Sequence, residues 1–201
     1  MHRFLRVLLF VLVAYLAWAQ WQQRAVPVRT AEPIAPMQPV QQNLAAAEAL
    51  VFSKKGYTLT AQASYSLEAR LLRRKNYTFG READLSPVDF VLGWGPMSAN
   101  NLLEQLRIRQ SGRFYYLRWQ SPAVHNSTVM HNSANTHIIP ANSTVAKRVK
   151  AMRPGQVVRL EGYLVNVLAA DNWYWHTSLS RTDTGAGACE LFWVENAEVL
   201  R

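Results

Sequence analysis

Cysteine is nearly absent from this chain. Its 201 residues include a single cysteine, Cys189, which excludes an intrachain disulfide and leaves packing to stabilise the fold. Acidic residues are also scarce, with 13 Asp and Glu against 22 Lys and Arg. The one glycine-rich turn, residues 183–190, lacks the Gly-Lys-Ser/Thr ending of a phosphate-binding loop, so this motif does not point to nucleotide hydrolysis.

A membrane-targeting segment opens the chain. Thirteen uncharged residues, Val7 to Ala19, follow Arg3 and Arg6, and basic residues before an apolar run favour the cytoplasmic side. We therefore predict a single-pass helix in the inner membrane over residues 1–21, with the remaining chain in the periplasm. The alternative is secretion to the periplasm after cleavage between Ala19 and Gln20, because Ala-Trp-Ala before that bond has the form of a signal-peptidase site.

Two further regions follow the predicted anchor. Residues 22–42 are rich in Pro and Gln, which predicts an extended linker. Residues 43–201 predict one extracytoplasmic α+β domain. We expect this domain to be β-rich, either a small OB-like barrel or a curved antiparallel sheet with short helices.

Strand patterns run through most of the predicted domain. Apolar and polar residues alternate from Tyr57 to Leu72, as in a strand with one buried face. A second strand pattern, Ile108 to Trp119, is interrupted at Gly112-Arg113, which indicates a turn. Three more β-rich runs end the chain: Val157–Leu168, Trp173–Leu179 and Cys189–Val199.

Two segments between these strands are predicted to adopt other structures. Ser86-Pro87 has the form of a helix start, so Val88–Leu92 is predicted to be helical. Gln120–Thr144 is rich in Asn, Ser and His and is predicted to be a long loop. Such loops in compact domains are typically functional or mobile.

Three histidines in this predicted loop recur at even spacing. His125, His131 and His137 would project from one side of an extended segment, and three imidazoles are a ligand set for Zn²⁺ or Cu²⁺. Residues six apart in one strand lie about 20 Å apart, too far to share an ion unless the chain folds back. We therefore predict no metal and no cofactor, and keep this trio as the alternative.

Catalytic candidates lie in two short segments. In residues 133–140, Asn135 and His137 enter an apolar step without charged neighbours, and residues 183–190 combine acids, a thiol and glycines. A Cys-His pair from the two segments would be a nucleophile with its base. The alternative is that the glycines form a hairpin turn and the polar groups satisfy local backbone. The candidate catalytic residues are His137, Asp183, Cys189 and Glu190.

Aromatic and basic side chains supply the candidate binding residues. Residues 50–160 contain sixteen Lys and Arg against five acids, whereas residues 161–201 contain two against six. A basic surface suits anionic lipid, a polyanion or an acidic partner, although the charges can also be merely solvated. The candidate binding residues are Asn135, His137, Trp94, Trp173, Trp175, Arg70, Arg73 and Arg74.

Several short motifs resemble those of one group of bacterial proteins. They are Trp-Gly-Pro-Met at 94–97, Ser-Ala-Asn-Thr-His at 133–137, the run 155–165 and the Gly-rich turn 185–190 before Trp193-Val194. Together they resemble bacterial exported or single-pass membrane-anchored proteins of no established activity. The resemblance covers Tyr57 to Leu200 and implies one domain, but no particular reaction.

The anchor, the linker and the basic domain together predict a non-enzymatic function. We expect a membrane-tethered periplasmic domain that binds a partner or assists an envelope complex. The alternatives are a hydrolase with a His/Asp/Cys site and a polyanion-binding module. The predicted partners are the membrane, through the N-terminal helix, and an envelope protein. Export makes nucleic acid an unexpected partner, and the sequence specifies no small-molecule ligand.

Overall fold

The computed structural model of the protein describes residues 2–22, 24–28, 30–180, 185 and 187–201. Its helices are α1 (His2–Gln22), α2 (Arg81–Leu85), α3 (Asn100–Leu103), α4 (Asn126–His131) and α5 (Ser143–Ala151), with short 3₁₀ turns at Ala46–Glu48 and Gly95–Ser98. Its strands are β1 (Val40–Asn43), β2 (Val51–Lys54), β3 (Tyr57–Asn76), β4 (Val88–Gly93), β5 (Leu106–Ser111), β6 (Phe114–Trp119), β7 (Ser133–Pro140), β8 (Val157–Ala169), β9 (Tyr174–Trp175) and β10 (Glu190–Val199).

Five of these strands form a closed ring. The long strand β3 pairs with β8 and, near its end, with β4. Strand β4 pairs with β7, β7 with β10, and β10 with β8, which completes the circuit. The pairing of β7 with β10 is parallel and the other pairings of the ring are antiparallel. Strands β5 and β6 form a separate hairpin.

The main core draws on all five ring strands. Alternate residues of β3 are buried, because successive side chains of a strand point to opposite faces. Phe90 of β4, Ile138 of β7 and Phe192 of β10 belong to the same apolar cluster, which α5 joins through Val145 and Val149. The ring is therefore filled by side chains.

Residues between those core positions face the outer side of the ring. Because Phe90 and Ile138 belong to the core, their neighbours Asp89 and His137 project outward. A second apolar cluster covers part of this outer side, formed by Leu59, Leu85, Ile139, Val165, Val167, Leu191 and Trp193. All eight residues of β7 are buried, so this strand is covered on both faces.

The predicted transmembrane helix is wrong. Helix α1 covers His2–Gln22, but no helix in the described part of the chain is long and apolar enough to cross a membrane. A bilayer core requires about 20 predominantly apolar residues, and the uncharged run from Val7 to Ala19 contains 13.

The predicted curved antiparallel sheet is also corrected. The domain is β-rich, but its sheet is mixed, because β7 and β10 run parallel. Alternation of apolar and polar residues is the same in parallel and antiparallel strands, so it predicts strands without their direction.

Two local predictions differ from the structure. Val88–Leu92 belongs to strand β4, which is buried along its whole length, and a short apolar run has no period that separates helix from strand. The predicted loop Gln120–Thr144 contains α4 and β7. The polar residues of β7 are buried by partners that lie far away in the sequence.

Part of the predicted linker packs against the β-rich domain. The backbone N–H of Val26 donates to the Pro154 carbonyl over 2.6 Å, and that of Ala35 donates to Ser98 Oγ over 3.1 Å. Ile34 and Ala35 are buried in a small cluster with Val157. This segment therefore contributes to the apolar packing of the domain.

Candidate functional site

A carboxylate and an imidazole meet on the outer side of the ring. Asp89 of β4 lies directly opposite His137 of β7 in the antiparallel register, which brings their side chains close together. Asp89 Oδ1 lies 2.9 Å from His137 Nδ1, and the two side chains are 0% and 5% exposed. Nδ1 therefore lies within ion-pair distance of the carboxylate.

An arginine completes the environment of this carboxylate. Arg113 lies at the turn between β5 and β6, and its Nη1 donates to Asp89 Oδ1 over 2.8 Å. Its Nε lies 2.9 Å from Glu82 Oε2, and its guanidinium lies over the Tyr77 ring at 4.0 Å from the ring centre. The β5–β6 hairpin thus places the Arg113 guanidinium beside the buried Asp89 carboxylate.

The thiol of Cys189 lies at the same place. Cys189 directly precedes β10 and lines the same small cavity as His137. Asn135 Nδ2 lies 3.6 Å from Cys189 Sγ and donates to the Arg113 carbonyl over 2.9 Å. Gln110 Nε2 donates to Asn135 Oδ1 over 2.9 Å. Gln110 therefore orients the Asn135 amide so that its nitrogen faces the Arg113 carbonyl and the sulfur.

The charge of His137 follows from these neighbours. Burial by itself lowers the pKa of His137, but the Asp89 carboxylate and the Cys189 thiol outweigh burial and raise the pKa to about 9. The imidazole is therefore protonated at neutral pH. A protonated imidazole beside a sulfur atom stabilises negative charge on that sulfur.

Two cavities meet at Cys189. The larger, about 370 Å³, lies along β6 and α4, and the smaller, about 170 Å³, lies beside His137, Arg113 and Trp175. Cys189 and Phe114 line both cavities. The thiol is half-buried, so it is held in place and still faces space that a substrate can enter.

The structure brings some of the predicted site residues together. Asn135, His137 and Cys189 form one network, and Glu190 is buried next to Cys189 and lines the larger cavity. Trp175 packs against the His137 ring at 5.0 Å between ring centres. The predicted catalytic residue Asp183 lies outside the described residues.

Other predicted residues lie elsewhere in the fold. Trp94 is fully buried and its Nε1 donates to the His131 carbonyl, and Trp173 packs against the outer apolar cluster. Arg70 bonds to the Ser98 carbonyl and to Asn100, and Arg74 bonds to the carbonyls of Lys150 and Met152. Arg73 is exposed. The guanidinium groups of Arg70 and Arg74 are therefore committed to the fold.

The histidine trio does not meet in the structure. His125 and His131 are exposed at the two ends of α4, whereas His137 is buried in β7. Across the described ranges, no group of three His, Cys, Asp or Glu side chains is placed to hold a metal ion.

Three residues of this network were missed by sequence reasoning. The sequence predicts a helix around Asp89 and a turn at Arg113, and it does not mark Gln110 as functional. Asp89 carried a usable signal, because it is the one charged residue within the apolar run Val88–Leu92, and a buried carboxylate requires a partner. For Arg113 and Gln110 the exposed, alternating hairpin sequence carries no such signal.

Comparisons with known proteins do not indicate a function for this chain. No family model, curated protein or solved structure matches the chain.

Stability is expected to depend on the protonation of His137. The pKa is about 9 in the folded state against 6.5 for an ordinary histidine. This contribution is fully present below about pH 6.5 and is lost as the pH rises through about 9. It amounts to about 3 kcal/mol, measured as the fall in the free energy of urea unfolding across that range.

Matched variants separate His137 from its neighbours. His137→Gln removes the titrating group, and Cys189→Ser removes the thiol while leaving Asp89, Glu82 and Arg113 in place. We expect the fall in the free energy of unfolding with rising pH to become smaller in His137→Gln. In Cys189→Ser we expect part of this fall to persist. If the free energy of unfolding changed with pH in the same way in the wild type and in His137→Gln, His137 would not be the group that causes the pH dependence.

Proposed function

We propose that this protein is a hydrolase that uses Cys189 as the nucleophile of an acyl-transfer reaction. The observation that carries the proposal is the convergence of the buried Asp89 and His137 with the half-buried Cys189 beside two cavities. A nucleophile, a base and a group that orients the base form the arrangement that activates a thiol in proteins. In this arrangement Asp89, which the sequence did not single out, is the acid beside His137.

The first half of the reaction forms a thioester. The Cys189 thiolate attacks the carbonyl carbon of the substrate, a C–S bond forms, and the carbonyl oxygen becomes an oxyanion. The oxyanion then collapses and the bond to the leaving group breaks. The leaving group takes the proton from protonated His137 and departs, and Asp89 keeps the imidazole in the orientation this transfer requires.

The second half of the reaction regenerates the thiolate. Neutral His137 takes a proton from a water molecule, whose oxygen attacks the thioester carbon. The C–S bond breaks, the carboxylic acid leaves, and the pair of Cys189 and His137 returns to its starting charge. The net reaction consumes one water and releases an acid and the protonated leaving group, so atoms and protons balance.

Asn135 is placed to stabilise the oxyanion. Its Nδ2 lies 3.6 Å from Cys189 Sγ, and the oxyanion forms on the carbon bonded to that sulfur. Because Gln110 fixes the direction of the amide, the donor is oriented before the reaction begins. Donors oriented in advance contribute substantially to catalysis of acyl transfer.

Chemical labelling tests the proposal directly. At about pH 6 a free thiol is almost entirely protonated, so we expect Cys189 to react with iodoacetamide about tenfold or more faster in the wild type than in His137→Gln. Incubation with p-nitrophenyl acetate or p-nitrophenyl octanoate is expected to add one acyl group at Cys189. Mass spectrometry of the intact protein and of its peptides measures both modifications.

His125 supplies a matched control. It is exposed at the start of α4 and lines neither cavity at Cys189, so His125→Gln is expected to label at a rate close to that of the wild type. Equal labelling rates for wild type and His137→Gln, together with no acyl adduct from either ester, would overturn the proposal.

A further inference from the structure

The larger cavity beside Cys189 has a predominantly apolar wall. Strand β6, helix α4 and the turn before β10 line its volume of about 370 Å³, which falls in the range of small-molecule sites. Its apolar lining includes Phe114, Leu117, Trp119, Met130, Ala134 and Ala188. The charged residues of the lining are Arg118, which is exposed, and Glu190, which is buried.

The smaller cavity differs in character. It is lined by Glu82, Arg113, His137 and His176, together with aromatic and glycine residues. The proton donor for the leaving group, His137, lies on this side. Cys189 thus lies at the boundary between an apolar space and a polar space.

We infer that the larger cavity binds the acyl group of the substrate, and that this group is a neutral, apolar chain of medium length. The inference rests on the proposed function, since the thiol marks the position of the scissile carbonyl. The chain extends from Cys189 along Leu117, Trp119 and Met130, and the leaving group departs through the smaller cavity.

A series of esters tests the selectivity for chain length. We expect kcat/KM for p-nitrophenyl octanoate to exceed that for the acetate by about a hundredfold, because each methylene that is buried favours binding. Met130→Trp fills the cavity and is expected to remove most of this preference. Met37→Trp is the matched control, since Met37 is 71% exposed and is not part of the cavity lining.

A binding measurement in a variant without the thiol is independent of turnover. In Cys189→Ala, the methyl ester of ω-bromodecanoic acid is expected to quench tryptophan fluorescence, because bromine in the cavity approaches Trp119. Trp119→Phe in the same background is expected to lose most of the quenching. Addition of Met130→Trp is expected to weaken binding of the ester by about tenfold or more.

The two measurements distinguish failure of the inference from failure of the proposed function. Saturable quenching that Met130→Trp weakens, without hydrolysis of any ester by the wild type, would support the cavity and overturn the hydrolase. Hydrolysis with equal kcat/KM for acetate and octanoate, unchanged in Met130→Trp, would support the hydrolase and overturn the acyl site. Absence of both hydrolysis and quenching would overturn both.

Discussion

Replacement of Asp89 by alanine is expected to lower the free energy of unfolding by about 3 to 5 kcal/mol. Asp89 is fully buried and lies 2.8 Å from the Arg113 guanidinium and 2.9 Å from His137 Nδ1. Without its carboxylate, Arg113 and the protonated His137 lose the counter-charge between them, although Arg113 keeps its ion pair with the half-exposed Glu82. Removal of one partner from a buried ion pair leaves a charge that the protein interior does not solvate. Urea unfolding followed by circular dichroism measures the change.

Two further substitutions locate the origin of this effect. Asp89→Asn keeps the size and one acceptor oxygen, so it is expected to destabilise the fold less than Asp89→Ala. Asp171 pairs with Arg81 at the surface, where both side chains are substantially exposed, and Asp171→Ala is expected to change stability far less. Stability of Asp89→Ala equal to that of the wild type would show that Asp89 is not the counter-charge of this network.

Replacement of Cys189 by alanine is expected to reduce ester hydrolysis by about ten-thousandfold. Loss of any member of a triad removes most of its catalysis, because the members act as a unit. Alanine removes a single sulfur atom from a half-buried position, so the variant is expected to fold. Initial rates with p-nitrophenyl octanoate measure the first expectation, and urea unfolding measures the second.

Serine at this position distinguishes a nucleophile from a structural thiol. A hydroxyl holds its proton far more strongly than a thiol, so Cys189→Ser is expected to be nearly as inactive as Cys189→Ala although it keeps a polar atom in place. Iodoacetamide is expected to leave both variants unmodified, since the chain has no other cysteine. Turnover in Cys189→Ala at the rate of the wild type would contradict a nucleophilic role.

Localisation and partners stay predictions of the sequence. Export to the periplasm and an envelope protein as partner depend on the first residues of the chain and on its overall charge, and the geometry of the site bears on neither. The proposed chemistry does not require either of them.

Local pattern alone determined several strands of this protein. The alternation from Tyr57 to Leu72 predicts β3, and the interruption at Gly112-Arg113 predicts the turn between β5 and β6; the structure confirms both. The runs Val157–Leu168 and Cys189–Val199 correspond to β8 and β10. Such predictions succeed because a strand with one buried face shows alternating apolar and polar residues in the sequence.

Only part of the candidate site could be predicted from the sequence. Asn135, His137, Cys189 and Glu190 could be named because their residue types are chemically reactive or are unusual next to apolar runs. Their convergence could not be predicted, because the 133–137 and 189–190 segments meet only through the parallel pairing of β7 with β10. Which residues pair across a sheet depends on the topology of the whole sheet. The sequence of either segment alone does not indicate its partner.

Tertiary structure alone decided the role of Asp89. In the sequence it is one carboxylate in a short apolar run, which fits a helix as well as a strand. Pairing of β4 with β7 places it opposite His137, and the β5–β6 hairpin brings Arg113 to it. A buried carboxylate between two cations then holds His137 in its protonated form beside Cys189. This arrangement depends on long-range contacts, so composition and periodicity determined the strands while packing determined the chemistry of the site.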